Sequence, residues 1–235
     1  MVKQVTAIIP AAGKGSRMGS ELNKQYLKLK DKPILAHTLE VFQRSPLIDR
    51  IIVVACKEEV DFCREHVVAK YSLDKVAAVI PGGKERVDSV RAGLDYCYPD
   101  TELVVVHDGA RPLLTYNLLN QVLEKARETG AAIAAVPVKD CIKQVAGGKV
   151  EKTLDRRQLW AVQTPQAFNY VSFKKAYGTS FSDLIYDDAM VVELSGGSVS
   201  VVEGDYKNIK VTTPEDLSIA EIFLENLANK KLLGT

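Results

Sequence analysis

The chain has 235 residues, 46% of them hydrophobic and 26% charged, with 31 basic against 30 acidic side chains and a formal net charge of +1. A chain of this size buries a substantial core without crosslinks. The even charge excludes a general nucleic-acid binder, which carries a marked basic excess.

In chain order, the β-branched runs at Val5–Ile9, Ile51–Cys56, Val76–Ile80, Leu103–His107 and Ala131–Val136 are apolar throughout rather than alternating. That is how strands read when both sheet faces are covered. Helical patterns lie between them: PILAHTLEVFQ, VDSVRAGLDY and NLLNQVLEKARETG, the last closing at Gly130 as a helix C-cap. This alternation predicts an α/β fold with a doubly wound, mostly parallel sheet and right-handed crossovers. Ligands of such sheets bind beyond the carboxyl ends of the strands. The loops that matter are therefore those after Ile9, Ile80, His107 and Val136. After Val136 the rhythm changes to two extended runs joined at Gly147-Gly148, a hairpin signal. An isolated hairpin is barely stable, so this arm, about residues 137–160, is expected to pack on a second subunit. A surface hairpin folded back on its own domain is the competing reading. Then come TPQAF, a helical DDAMVVEL, strands VSVVEG and NIKVT, and a last helix opened by Thr213-Pro214-Glu215-Asp216, a capping threonine, a first-turn proline and two acids. No repeat or linker divides the chain, so residues 1–235 read as one domain.

The cysteines Cys56, Cys63, Cys97 and Cys141 include no Cys-x-x-Cys pair, so neither a zinc site nor a disulfide framework is expected. A cytoplasmic location follows. The start MVKQVTAIIPAAG lacks the apolar segment and cleavage site of a secretory signal. The longest apolar runs are too short to span a bilayer.

The loop PAAGKGSRMG after the first strand spaces its glycines Gly-x-Gly-x-x-x-Gly. A dinucleotide fingerprint needs a different spacing and an acid after the second strand, where Cys56-Lys57 stands, and the P-loop pattern is absent. What remains is a loop whose backbone N–H groups approach an anion closely. Arg17 and Lys24 add two cations, which suits a triphosphate. Taken alone, the loop fits an ordinary strand-to-helix turn nearly as well. PGGKERVDS places a Gly-Gly turn after the third strand, with Ser89 able to hydrogen-bond a base edge. HDGARP offers Asp108 as a ligand for a metal on phosphates and Arg111 as a bidentate phosphate clasp; a turn-capping acid and an Asp108–Arg111 salt bridge are the plainer readings. Lys210 is a charge in the apolar run NIKVT, and a solvated edge position explains it about as well. His37, His66 and His107 read as structural or exposed, with no nucleophilic triad or metal spacing.

Together PAAGKGSRM, KQYL, GGKERVDSV, HDGARP, PVKD, LWAVQTPQAF, DDA and VEGDYKNIKVTTPEDL resemble, in order and nearly end to end, the 2-C-methyl-D-erythritol 4-phosphate cytidylyltransferases of the non-mevalonate isoprenoid pathway. The related ribitol-5-phosphate cytidylyltransferases share several motifs; PAAGKGSRM and LDRRQLWAVQTPQAF look closer to the erythritol enzymes. The resemblance implies a Rossmann-like nucleotidyltransferase fold, a protruding arm that interlocks a homodimer, and a Mg²⁺-dependent reaction of CTP with a polyol phosphate. It implies Arg17, Lys24 and Lys210 as transition-state stabilisers. It implies Pro10, Ala11, Ala12, Gly13, Gly15, Gly83 and Ser89 around CTP. It implies Asp108, Arg111, Asp140, Cys141 and Thr164 around the polyol phosphate, Asp108 being also the candidate metal ligand. Arg156 on the arm would serve the partner's site. The sequence departs from the family at Cys141 and Tyr186, where threonine is usual, and at Lys84, where an acid is common. A thiol is a weak donor, so Cys141 weakens any hydrogen bond from that position.

Overall fold

The computed structural model describes residues 4–13, 23–179 and 184–232. In chain order the strands are β1 (Gln4–Ala11), β2 (Lys28–Leu29), β3 (Lys32–Pro33), β4 (Arg50–Ala55), β5 (Val76–Pro81), β6 (Thr101–Val106), β7 (Ala131–Pro137), β8 (Lys143–Ala146), β9 (Lys149–Thr153), β10 (Trp160–Asn169) and β11 (Ser200–Glu203). The helices are α1 (Ile34–Arg44), α2 (Val60–Cys63), α3 (Arg86–Asp95), α4 (Tyr116–Thr129), α5 (Tyr170–Tyr177), α6 (Asp188–Leu194) and α7 (Pro214–Leu232). Seven strands form the central sheet in the order β11-β7-β10-β6-β1-β4-β5. Its pairings are parallel except those of β10, which runs antiparallel to both β6 and β7.

Both faces are covered, as the apolar strands require. Val5, Ala7, Ile9, Ile51 and Val53 face one layer with Leu35, Leu39 and Phe42 of α1 and Leu119, Val122 and Leu123 of α4. The alternate residues Ile8, Ile52, Val54, Val104 and Val106 face the other, with Val90 and Leu94 of α3, Phe173 and Tyr177 of α5 and Val191 of α6. A smaller cluster of Leu29, Ile34, Leu113, Val211 and Ala220 lies beneath α7. Helix α4 ends as expected at Gly130, which takes the left-handed conformation at φ 86°, and it begins with Thr115, whose Oγ accepts from Leu118 N–H.

One sequence expectation is corrected, and one segment left unassigned is placed. NIKVT is not a strand; it is a loop whose Val211 N–H donates to the Ala110 carbonyl at 2.8 Å rather than to a strand ladder. TPQAF lies inside β10, in the middle of the sheet. Its register shifts between Val162 and Gln166. Pairing is thereby interrupted where Thr164 and Pro165 would break a regular ladder. The predicted hairpin is present: β8 and β9 form a two-stranded sheet, every residue of both strands is exposed, and Gly147 and Gly148 turn with positive φ.

Candidate active site

Strand β1 ends at Ala11 and runs on into Ala12-Gly13, and the carbonyls of Pro10, Ala11 and Ala12 are committed to protein donors. Gly109 N–H donates to the Pro10 carbonyl at 3.0 Å. The buried Gln25 donates Nε2–H to the Ala11 carbonyl at 2.6 Å, and the Cys56 thiol donates to that of Ala12 at 2.8 Å. The β5 loop meets this segment closely. A Cβ at Gly82 would lie 2.8 Å from the Ala12 Cβ and 2.7 Å from Ser89 Oγ, and one at Gly83 would lie 2.2 Å from the Asp88 Cβ. Only glycine lets the two loops and the head of α3 approach so far. Helix α3 starts with a capping box between Glu85 and Asp88. The resulting cleft is lined by Pro10, Ala11, Ala12, Gly13, Lys24, Gln25, Gly83, Lys84, Arg86, Ser89, Asp108 and Lys210.

Asp108, just beyond β6, is buried and holds three cations. Arg86 Nε lies 3.2 Å from its Oδ1, while Arg111 Nε at 3.3 Å and Lys210 Nζ at 3.0 Å share Oδ2. Burial would raise the pKa of this carboxyl. Arg86, Lys210 and Arg111 outweigh burial and hold it well below the usual carboxylate range. Arg86 also donates Nη2–H to Asp188 Oδ2 at 2.7 Å; Asp188 is fully buried, and Tyr177 O–H donates to its other oxygen at 2.6 Å. Burial alone would lower the pKa of Arg86, but Asp188 and Asp108 reverse that and keep the guanidinium charged.

The broken register of β10 supplies the second half. Thr164 Oγ accepts from Asp108 N–H at 3.1 Å and lies 3.0 Å from His107 Nδ1, whose ring presents Nε2 to the Arg111 carbonyl at 3.1 Å. Burial lowers the pKa of His107 to about 4. The ring is therefore neutral: Nε2–H donates to Arg111 and Nδ1 accepts from Thr164, which pins the Asp108–Arg111 turn. The Lys210 loop is fixed from both sides. Asn208 donates Nδ2–H to the Thr164 carbonyl at 2.8 Å, and Arg111 Nη1 donates to the Asn208 carbonyl at 2.8 Å. A second cleft opens here, lined by Arg86, Asp108, Arg111, Val162, Gln163, Thr164, Gln166, Tyr186, Asp187, Met190 and Lys210. The two clefts share Arg86, Asp108 and Lys210.

The structure thus gathers Pro10, Ala11, Ala12, Gly13, Lys24, Gly83, Ser89, Asp108 and Lys210 around one cleft, and Arg111 and Thr164 around the adjoining one. Asp140, Cys141 and Arg156 line neither; all three are exposed at or beside the arm, and Arg156 donates to its own chain's Lys139 carbonyl at 2.6 Å. Gly15 and Arg17 lie outside the described residues. Asp108 does not fit a magnesium ligand, because its two oxygens are already taken by three cations. No group of three or more His, Cys, Asp or Glu side chains able to hold a metal occurs among the described residues. Sequence reasoning missed Arg86, Asp188 and Gln25. The available signal was Arg86 itself: a cation in the first turn of a helix opposes the dipole unless anions hold it.

A family model described as IspD, 2-C-methyl-D-erythritol 4-phosphate cytidylyltransferase, matches residues 5–226. The chain belongs to this family. A cytidylyltransferase of that name from Syntrophotalea carbinolica is 46% identical over 224 residues, covering 94% of this chain and 96% of the relative. One from Alkaliphilus metalliredigens is 49% identical, covering 94% and 93%. Among solved structures, the 4-diphosphocytidyl-2C-methyl-D-erythritol synthase of Anaerococcus prevotii superposes with a TM-score of 0.84 at 32% identity, covering 95% of this chain and 96% of that one. For a cytidylyltransferase, the mostly parallel sheet with two clefts at its strand ends is the expected frame, and the chain is a nucleotidyltransferase. No helix among the described residues is long and apolar enough to cross a membrane.

Proposed function

We propose that this cytidylyltransferase moves a cytidylyl group from CTP to 2-C-methyl-D-erythritol 4-phosphate, giving CDP-methylerythritol and pyrophosphate. The observation that carries the reading is the wall shared by the two clefts, Arg86, Asp108 and Lys210. Two anionic substrates in adjoining clefts would bring their reacting phosphates to that wall. An oxygen of the methylerythritol phosphate attacks the α-phosphorus of CTP, and the bond from that phosphorus to the pyrophosphate oxygen breaks. The attacking phosphate is already an anion near neutral pH, so no strong base is needed. Catalysis rests on alignment and charge neutralisation.

In this reading Pro10–Gly13, Gly15, Gly83 and Ser89 hold CTP, chiefly through the main chain. Arg17, Lys24 and Lys210 neutralise charge on the pentacoordinate phosphorus. Arg111 and Thr164, steadied by Asp108, hold the polyol phosphate. Magnesium enters only as the companion of the triphosphate, adding positive charge there. The arm, with Val145 and Val150 paired and exposed at 56% and 61%, is read as the contact of a homodimer. It would carry Arg156, Asp140 and Cys141 to the polyol side of a site. That none of the four cysteines is in a disulfide agrees with a cytoplasmic enzyme.

Pyrophosphate release measured with CTP and either 2-C-methyl-D-erythritol 4-phosphate or ribitol 5-phosphate tests the substrate. The expected kcat/KM favours the former by about 100-fold or more, the discrimination a polar site reaches by leaving groups unpaired for the wrong ligand. Preference for ribitol 5-phosphate, or turnover with neither, overturns it.

A further inference from the structure

Arg86 stands at an electrostatically poor position, the first residue of α3, where the helix dipole disfavours a cation. It is kept there by two carboxylates from distant parts of the chain. Asp188 holds Nη2 at 2.7 Å, is fully buried, and is itself fixed by the Tyr177 hydroxyl at 2.6 Å. Asp188 begins α6, whose Asp187 caps Met190 N–H and accepts from Gln166 Nε2, while Gln166 Oε1 accepts from Ala189 N–H. The guanidinium is thus anchored to α6, which Gln166 in turn ties to β10. Its Nε is left for Asp108 Oδ1. Lys210 and Arg111 are both confined to Oδ2.

The charge count on this wall shows what the arrangement does. Arg86, Arg111 and Lys210 carry three positive charges against the two negative charges of Asp108 and Asp188. Without Arg86, Asp108 has only Arg111 and Lys210 to neutralise it. Lys210, whose side chain is 37% exposed, is the one of the two that reaches into both clefts. A carboxylate with one oxygen vacated would draw the ammonium further onto itself and away from an incoming phosphate.

We propose that Arg86 is a positioning residue of the transfer reaction: held by Asp188, it occupies one oxygen of Asp108 so that Lys210 remains available to substrate phosphate. This role rests on the reading of the two clefts as a cytidylyl-transfer site. It does not require Arg86 to touch either substrate.

The test separates positioning from mere folding. Arg86→Met alone strands the buried Asp188 carboxylate, so the decisive variant is Arg86→Met/Asp188→Asn, which removes both charges of that pair. Expected is a melting temperature close to wild type and CTP affinity within about threefold of it. The value of kcat/KM for 2-C-methyl-D-erythritol 4-phosphate should drop about 100-fold, the scale of a misplaced catalytic group. Arg86→Lys keeps the charge but reaches one carboxylate only, so it should fall about tenfold, between the two. A folded double variant with kcat/KM within about threefold of wild type, or one that loses CTP binding in step with turnover, overturns the proposal. If the double variant does not fold, Arg86→Lys decides alone, and wild-type kinetics in it overturn the proposal. Absence of turnover in the wild-type protein would instead defeat the assigned reaction and leave Arg86 a structural bridge.

Discussion

At the scale of single residues, the site is organised by groups that never need to react. His107 is buried beneath Asp108 and is neutral because burial pushes it from its ordinary 6.5 to about 4. The sign of the consequence is fixed. Its folded value lies below its unfolded one, so the unfolded chain takes up the proton first as pH falls. The stability it contributes is complete above about 6.5 and is lost as pH falls through about 4, on the order of 3 kcal/mol in all. Asp108 is depressed from its ordinary 3.8, so its own contribution is lost at more acid pH and does not fill this window. Urea unfolding midpoints measured from about pH 7 down to about pH 4 should decline more steeply for wild type than for His107→Gln. Equal slopes would contradict a neutral, buried His107.

At the scale of elements, the five apolar strands and the helices between them were legible because parallel strands covered on both faces are apolar at every position. Strand β10 was not. Gln163, Thr164, Pro165 and Gln166 interrupt its apolar pattern, and proline argues against a central strand. The structure resolves the conflict by breaking the register at those residues and turning their polar groups to Asp108, Asn208 and Asp187. NIKVT misled in the opposite way: its apolar residues bury against the α7 cluster, not in a ladder. The glycine loops were legible because the absence of a side chain marks close approach. The anchoring of Arg86 was not, since its two acids lie 22 and 102 residues away and only folding brings them together.

At the scale of the whole molecule, the sheet sets two clefts side by side, and no residue of β8 or β9 lines either of them. If the arm carries Arg156 to a neighbour's polyol side, two dead variants can complement one another. Mixed Arg156→Ala and Lys24→Ala subunits should regain about a quarter of wild-type turnover, since half the dimers are mixed and half their sites intact. No recovery in verified mixed dimers would mean that each chain works alone. In the proposed reaction, cations fixed at the strand ends, Lys210 foremost, neutralise charge on the phosphorus being transferred. Its most direct measurement is the kcat of Lys210→Ala alongside its affinity for CTP. Expected is a kcat lower by about 100- to 1,000-fold, as when a preorganised charge-stabilising donor is removed, with CTP still bound. A Lys210→Ala enzyme that turns over as fast as wild type would contradict it.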